Sequence, residues 1–311
     1  MNKFKLLPLV FSIALLFVSA QLSFAADKIR IVTTTSTIAD LTRQVVGEKA
    51  DIHYVAPPKQ NIHFISPTPK DVLKVKKADV FIHGGLDLEA WRDPLLNAAG
   101  NTAFLGNGKA SIDVSKEVVL LEVPTSFSRS EGDIHVYGNP HYWVDPQNAL
   151  TMIDNIVSGL SELYPQDADE FRRNADQYKQ KLTTKIGEWD KRMAPYKGET
   201  LVAYHKSWPY FAKHFGFNVI DQLEPKPGIP PTSKHIAAVE NEMKEHHTKI
   251  IIKEIYNESR TPGKVANETG ATVVTLETAP GERKDTPDYI SMMEHNVSEL
   301  EAVFPKKASQ S

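Results

Sequence analysis

The sequence contains no cysteine. That removes disulfides, thiolate metal ligands and a thiol nucleophile, and with them the residue on which a bacterial lipoprotein carries its lipid. Any metal must be held by imidazole and oxygen. An excess of charge of one sign is lacking too: 36 Lys and Arg stand against 39 Asp and Glu, a formal net charge of −3. That is too slight to predict a nucleic-acid or acidic-membrane partner. The glycines are scattered and build no phosphate-cradling loop, and there is no His-Glu-x-x-His, no Gly-x-Ser-x-Gly and no short internal repeat. Long hydrophobic runs are absent except for Leu6 to Ala20, which follows Asn2, Lys3 and Lys5 and precedes Ser23-Phe24-Ala25. The run is shorter than the roughly 20 residues a bilayer requires, so residues 1–25 are expected to be a cleaved secretory signal. The mature chain is then expected to begin near Ala26 and to diffuse freely in a bacterial periplasm.

What remains is roughly 285 residues, more than one hydrophobic core usually serves, so two domains are expected. The chain reads as α/β. Ile29 to Thr35 predicts a strand, and Ile38 to Val46 a helix capped by Thr37 with Asp40 at N3. Strands follow at 51–56, 78–83 and 102–105. Between them lie a helix opened by Thr68, Pro69 and Asp71 and another over 88–99. After a helix over 148–163, residues Phe171, Ala175, Tyr178, Leu182, Ile186 and Trp189 recur at three and four and predict one apolar stripe on a helix from about 166 to 195. Such a helix would be about 45 Å long, enough to run along both domains. The βα alternation then restarts, with strands at 200–204, 218–223, 249–255 and 271–276 and helices at 208–215, 233–247, 262–269 and 288–304. The expected organisation is an N-terminal lobe over 26–165, an interlobe helix over 166–196 and a C-terminal lobe over 197–311, each lobe a mostly parallel sheet flanked by helices.

Of the eleven histidines, position singles out four. Ligands in open α/β sheets bind beyond the carboxyl ends of the strands, and His83 and His205 end strands there. His63 lies in the loop after the second strand, and His141 in Pro140-His141-Tyr142-Trp143-Val144-Asp145-Pro146 before a helix. His135 lies six residues before His141, in a polar surface loop. His53, His214, His235, His246, His247 and His295 are expected to be ordinary strand, helix or helix-end residues.

Four segments carry a resemblance. Asn61 to Asp71 resembles the first metal-histidine motif of the solute-binding proteins of zinc and manganese ABC importers, the cluster A-I metal-binding family. Pro140 to Pro146 is similar to the second motif, Tyr204-His205-Lys206-Ser207-Trp208-Pro209-Tyr210-Phe211-Ala212 to the third, and Gly85 to Trp91 to a Gly-x-Leu-Glu-x-Trp stretch. The resemblance runs in order from about Ile29 to Phe304. It implies two pseudo-symmetric lobes joined by a long helix, with one divalent metal in the cleft. His63 and His141 would come from the first lobe and His205 from the second, with Glu277 nearest the position of the fourth, acidic ligand. Glu254 is the rival for that carboxylate, and water the third alternative. The sequence lacks the acidic, His-rich loop of many zinc members and keeps only Asp133 and His135 there.

Three imidazoles and one carboxylate suit zinc, with manganese the alternative. Asp145 and Glu224 are candidate partners for the rear ring nitrogens. The expected function is capture of zinc and delivery to the membrane permease of an ABC importer, by a monomer. A zinc hydrolase would use the same three ligands with an open position for water, but no general base accompanies them.

Overall fold

The computed structural model describes residues 27–106, 108–124, 135–226 and 228–304. The expected signal at 1–25 and Asp133 lie outside them. Among the described residues no helix is long and apolar enough to cross a membrane. Two four-stranded parallel sheets organise the chain. The first comprises β1 (Ile29–Thr33), β2 (Ala50–Tyr54), β3 (Val80–His83) and β4 (Ser111–Asp113), in the order β2-β1-β3-β4. The second repeats that topology with β5 (Thr200–Ala203), β6 (Asn218–Gln222), β7 (Ile250–Glu254) and β8 (Thr272–Leu276), in the order β6-β5-β7-β8. Strand order reverses between β1 and β3 and between β5 and β7, so each sheet opens a crevice at the carboxyl ends of its central strands.

Local sequence explains most element starts. Helix α2 (Pro69–Lys77) opens on a capping box: Thr68 Oγ1 accepts the Asp71 N–H while the Asp71 carboxylate accepts the Thr68 N–H. Helix α1 (Ser36–Val46) is capped by Thr35, not by the expected Thr37; Thr35 Oγ1 accepts the Ile38 N–H at 3.1 Å. Asp40 consequently serves a distant donor, the Tyr289 N–H at 2.9 Å. The expected strand at 102–105 is a 3-10 turn, Thr102–Phe104. Asn101 prevents an extended run by donating its amide to the carbonyls of Val75 and Ala78 and accepting the Ala103 N–H. The edge strand is β4 instead, paired with β3. Helix α3 (Arg92–Ala99) starts four residues later than expected, after a turn in which Gly85, Leu86 and Asp87 take positive φ. At Gly85 a Cβ would lie 2.4 Å from Asp113 Oδ1, so only glycine fits that turn.

Helix α5 (Ala168–Met193) has 26 residues, which makes it about 39 Å long. Its stripe from Phe171 to Met193 is buried, and it packs on α1 and α4 (Pro146–Leu163) at one end and on α9 (Tyr289–Val303) at the other. Trp189 and Arg192 also reach the Glu294 carboxylate on α9. One apolar core therefore runs through Ile31 and Phe81 of the first sheet, Leu182 and Trp189 of α5, and Leu201 and Ile252 of the second sheet. A smaller cluster around Val202, Val239 and Ile251 lies on the other face of the second sheet.

His214 on α6 (Pro209–Phe215) clamps three helices: Nδ1 meets Asp145 Oδ1, the cap of α4, at 2.8 Å, and Nε2 meets Asp190 Oδ1 on α5 at 3.0 Å. Burial alone would lower its pKa, but the hydrogen bonds and charges of the two aspartates outweigh burial and raise it. A raised folded pKa means that this contribution to stability is complete below about pH 6.5 and is lost as pH rises through the folded value. His214→Gln should therefore destabilise the protein more at mildly acidic pH than at alkaline pH. Urea unfolding of both proteins across that range measures it, and a cost that grows with pH would contradict the assignment.

Candidate metal site

Three of the four histidines singled out by position converge, and the fourth does not. His63, His141 and His205 each offer a ligand atom, all within 4.8 Å of one another. His63 sits on a 3-10 turn, Ile62–Phe64, capped by Asn61 and pinned by the Trp91 indole, which donates to the Ile62 carbonyl at 2.7 Å. His141 precedes the Tyr142–Val144 turn, held where the Tyr142 hydroxyl donates to the Gly84 carbonyl at 2.6 Å. His205 follows β5 at the β5/β7 reversal. His83 ends β3 but turns away into its own lobe. Its Nδ1 lies 3.1 Å from the Arg92 guanidinium, and burial lowers its pKa to about 4.

The rear nitrogens fix the chemistry of the front ones. His63 Nδ1 faces the Leu88 carbonyl at 3.2 Å, His141 Nδ1 faces Asn139 Oδ1 at 3.0 Å, and His205 Nδ1 faces the Glu224 carboxylate at 2.5 Å. The Asn139 amide is oriented by its own bonds: Nδ2 donates to the Lys206 carbonyl and to Glu122, and Oδ1 accepts the His141 N–H. An acceptor behind each ring requires the proton on Nδ1, so in the neutral rings every Nε2 carries a lone pair. Yet Nε2 of His63 and Nε2 of His141 are only 2.9 Å apart. Two lone pairs at that separation repel unless a cation compensates them. Burial first, and the neighbouring imidazoles after it, hold the pKa values of His63 and His141 well below the usual 6.5, which disfavours a proton as that cation.

Of the two expected rear partners, Glu224 serves His205 and is itself held by the Gly228 N–H at 2.8 Å. Asp145 instead caps α4 and pairs with His214. The structure does not bring Glu277 into the group. Its backbone is clasped at both N–H and C=O by the Asn296 side chain, and its buried carboxylate lies 3.7 Å from the Arg283 guanidinium. Burial raises that carboxyl to about 7. The rival Glu254 is engaged as well, by the Trp208 indole at 3.0 Å and by the Asn257 amide.

Residues that positional reasoning missed tie the two halves of the site together. Asn139 spans from His141 to the Lys206 carbonyl, one residue beyond His205, and the Tyr210 hydroxyl donates to the Asn139 carbonyl at 2.8 Å. Further across the cleft, the Trp143 indole donates to the Thr278 carbonyl and the Ser36 hydroxyl to the Pro280 carbonyl. Asn139, Trp143 and Tyr210 are marked in the sequence only by their place in or beside the histidine motifs, and Ser36 carries no such signal.

A family model described as the periplasmic component A of a zinc-uptake complex matches residues 31–303. The chain belongs to that family. Iron-binding protein YfeA of Yersinia pestis is 28% identical over 291 residues, which cover 91% of this chain and 88% of that protein. Zinc-binding protein AdcA of Streptococcus pyogenes is 26% identical over 90% of this chain, which spans 57% of that relative's length. A crystal structure of ZnuA aligns at a TM-score of 0.76 and 19% identity, over 89% of this chain and 99% of that one, a likeness of fold. Membership places the chain among periplasmic solute-binding proteins, and it implies a metal ion and an importer permease as partners.

Proposed function

We propose that this protein captures zinc between its lobes through Nε2 of His63, His141 and His205 and delivers it to the permease of an ABC importer. The observation that carries the reading is the meeting of lone pairs, with two Nε2 atoms at 2.9 Å and a third ring beside them. Ring centroids in the trio are 5.0, 5.3 and 5.6 Å apart. Imidazoles bound tetrahedrally to one zinc at about 2.0–2.1 Å would set their centroids about 5 Å apart. Imidazole nitrogen suits zinc better than manganese, which prefers oxygen. In this reading the working units are the lobes over 26–165 and 197–311, hinged on the helix over 166–196. The mature chain works as a monomer, free in the periplasm after cleavage near Ala26, and performs no catalysis.

Chelator-stripped protein titrated with zinc should saturate at one equivalent, and its melting temperature should rise with free zinc as mass action requires. Absence of a saturable site would end the proposal. A proton competes with metal for each Nε2, so the depressed pKa values of His63 and His141 set the acid limit of binding. Affinity should hold as pH falls through about 6.5 and weaken only below it. A steep loss already between neutrality and that value, in competitive titrations, would contradict the proton assignment.

A further inference from the structure

A fourth imidazole stands beside the group of three. His135 lies 4.8 Å, centroid to centroid, from His63, nearer than any two of the trio are to each other, and 6.2 Å from His141. Its chain neighbours Val136 and Tyr137 face solvent, whereas His135 is partly buried. The turn that folds it inward is specific. The Gly138 N–H donates to the His135 carbonyl at 3.2 Å, and the Asn139 N–H donates to the Leu121 carbonyl at 2.8 Å. Gly138 has φ 122°, and a Cβ there would lie 2.9 Å from the Leu121 oxygen, so only glycine makes this turn without displacing the backbone. Residue 135 is thereby set back over His63 from the same arm that carries His141.

We propose that His135 supplies the fourth ligand to the metal, completing an all-imidazole site in place of the carboxylate usual at that position. The inference rests on the reading of His63, His141 and His205 as the metal ligands. The separations of 4.8 and 6.2 Å bracket the value of about 5 Å expected for imidazoles around one tetrahedral zinc. The rings of His135 and His63 are tilted by 40°, and those of His135 and His141 by 87°, so His135 lies flat on neither ring. Glu254 does not contest the position, being held by Trp208 and Asn257, and the Glu277 carboxylate, whose buried oxygens have no hydrogen-bond partner among the described residues, lies outside the group formed by the three ring nitrogens. Four neutral nitrogens leave the full charge of the ion uncompensated by carboxylate, which makes His135 a specificity residue selecting borderline cations such as zinc over manganese.

The test is X-ray absorption at the zinc edge on the zinc-loaded full chain and on His135→Ala, with competitive zinc and manganese titrations of both. Four imidazoles in the unaltered protein and three in the variant are expected, with zinc affinity falling about 100 to 1,000-fold in the variant and discrimination against manganese falling with it. The metal-free variant should melt with the unaltered protein, because His135 lies outside the core. Three imidazoles with an oxygen ligand in the unaltered protein, together with equal affinities, would overturn the role of His135 and leave the histidine trio standing. Failure of the unaltered protein to bind zinc would overturn both.

Discussion

His205→Ala should lower zinc affinity by about 100 to 1,000-fold, whereas Glu277→Gln should leave it close to that of the unaltered protein. Zinc held by four protein ligands is bound by about 10–16 kcal/mol, or about 2.5–4 kcal/mol per ligand, and each 1.4 kcal/mol is about tenfold. In the proposed site His205 is the ligand from the second lobe, so its removal would also untie the ion from that wall of the cleft. Glu277 differs because its carboxylate faces Arg283 and is pushed by burial to about 7, so a neutral amide of the same shape is a mild replacement. Competitive titration with a chromogenic chelator measures both. A loss in Glu277→Gln equal to that in His205→Ala would mean that the carboxylate swings into the site, and the separation drawn between Glu277 and the trio would fail.

Trp208→Ala should be the most destabilising single change near the site, at about 3–5 kcal/mol for the lost side chain, a large share of the roughly 5–15 kcal/mol that a folded domain commands. The indole is fully buried, packs edge-on against Phe211, and donates Nε1–H to Glu254, itself fully buried. Trp208→Phe keeps part of the volume but strands the carboxylate oxygen, and should cost about 1–3 kcal/mol. Urea unfolding of the metal-free proteins gives both values. If Trp208→Phe matched the unaltered protein, the indole hydrogen bond would contribute nothing and Glu254 would have to be held by Asn257 alone. Because Trp208 lies three residues beyond His205 in the same motif, the third histidine motif joins a ligand to the support that keeps its loop in place.

Legibility from sequence followed the range of the interactions. The capping box at Thr68, Pro69 and Asp71 and the stripe on α5 involve neighbours within one or two helical turns, and both were readable from spacing. His63, His141 and His205 were readable because strand ends in α/β sheets face a crevice and because their flanking residues resemble family motifs. The same positional rule could not separate His83, since ring direction depends on the pleat and on Arg92 rather than on being last in a strand. Glu277 was selected by the edge to which β8 delivers it, but Asn296 clasps its backbone and its carboxylate stays outside the group of three ring nitrogens. Asn139 and Tyr210 meet partners 67 and 71 positions away, a range at which one sequence offers no pattern. Thr37 yielded to Thr35 because both can cap, and only the end of β1 decides which residue is extended.

The first helix among the described residues has its last partner near the end of the chain. Asp40 is buried on α1, and it accepts the backbone N–H of Tyr289, 249 positions later; Ser36 waits in the same way for Pro280, 244 positions later. Contacts this distant are made late, because the chain between them must close before they bring any reward. A nascent chain released gradually therefore cannot finish its N-terminal half early, since that half is short of donors and apolar cover until α9 emerges. For a member of a periplasmic family, whose polypeptide reaches its compartment from the cytoplasm, the stitching of beginning to end makes premature locking of the structure unfavourable until nearly the whole length is present.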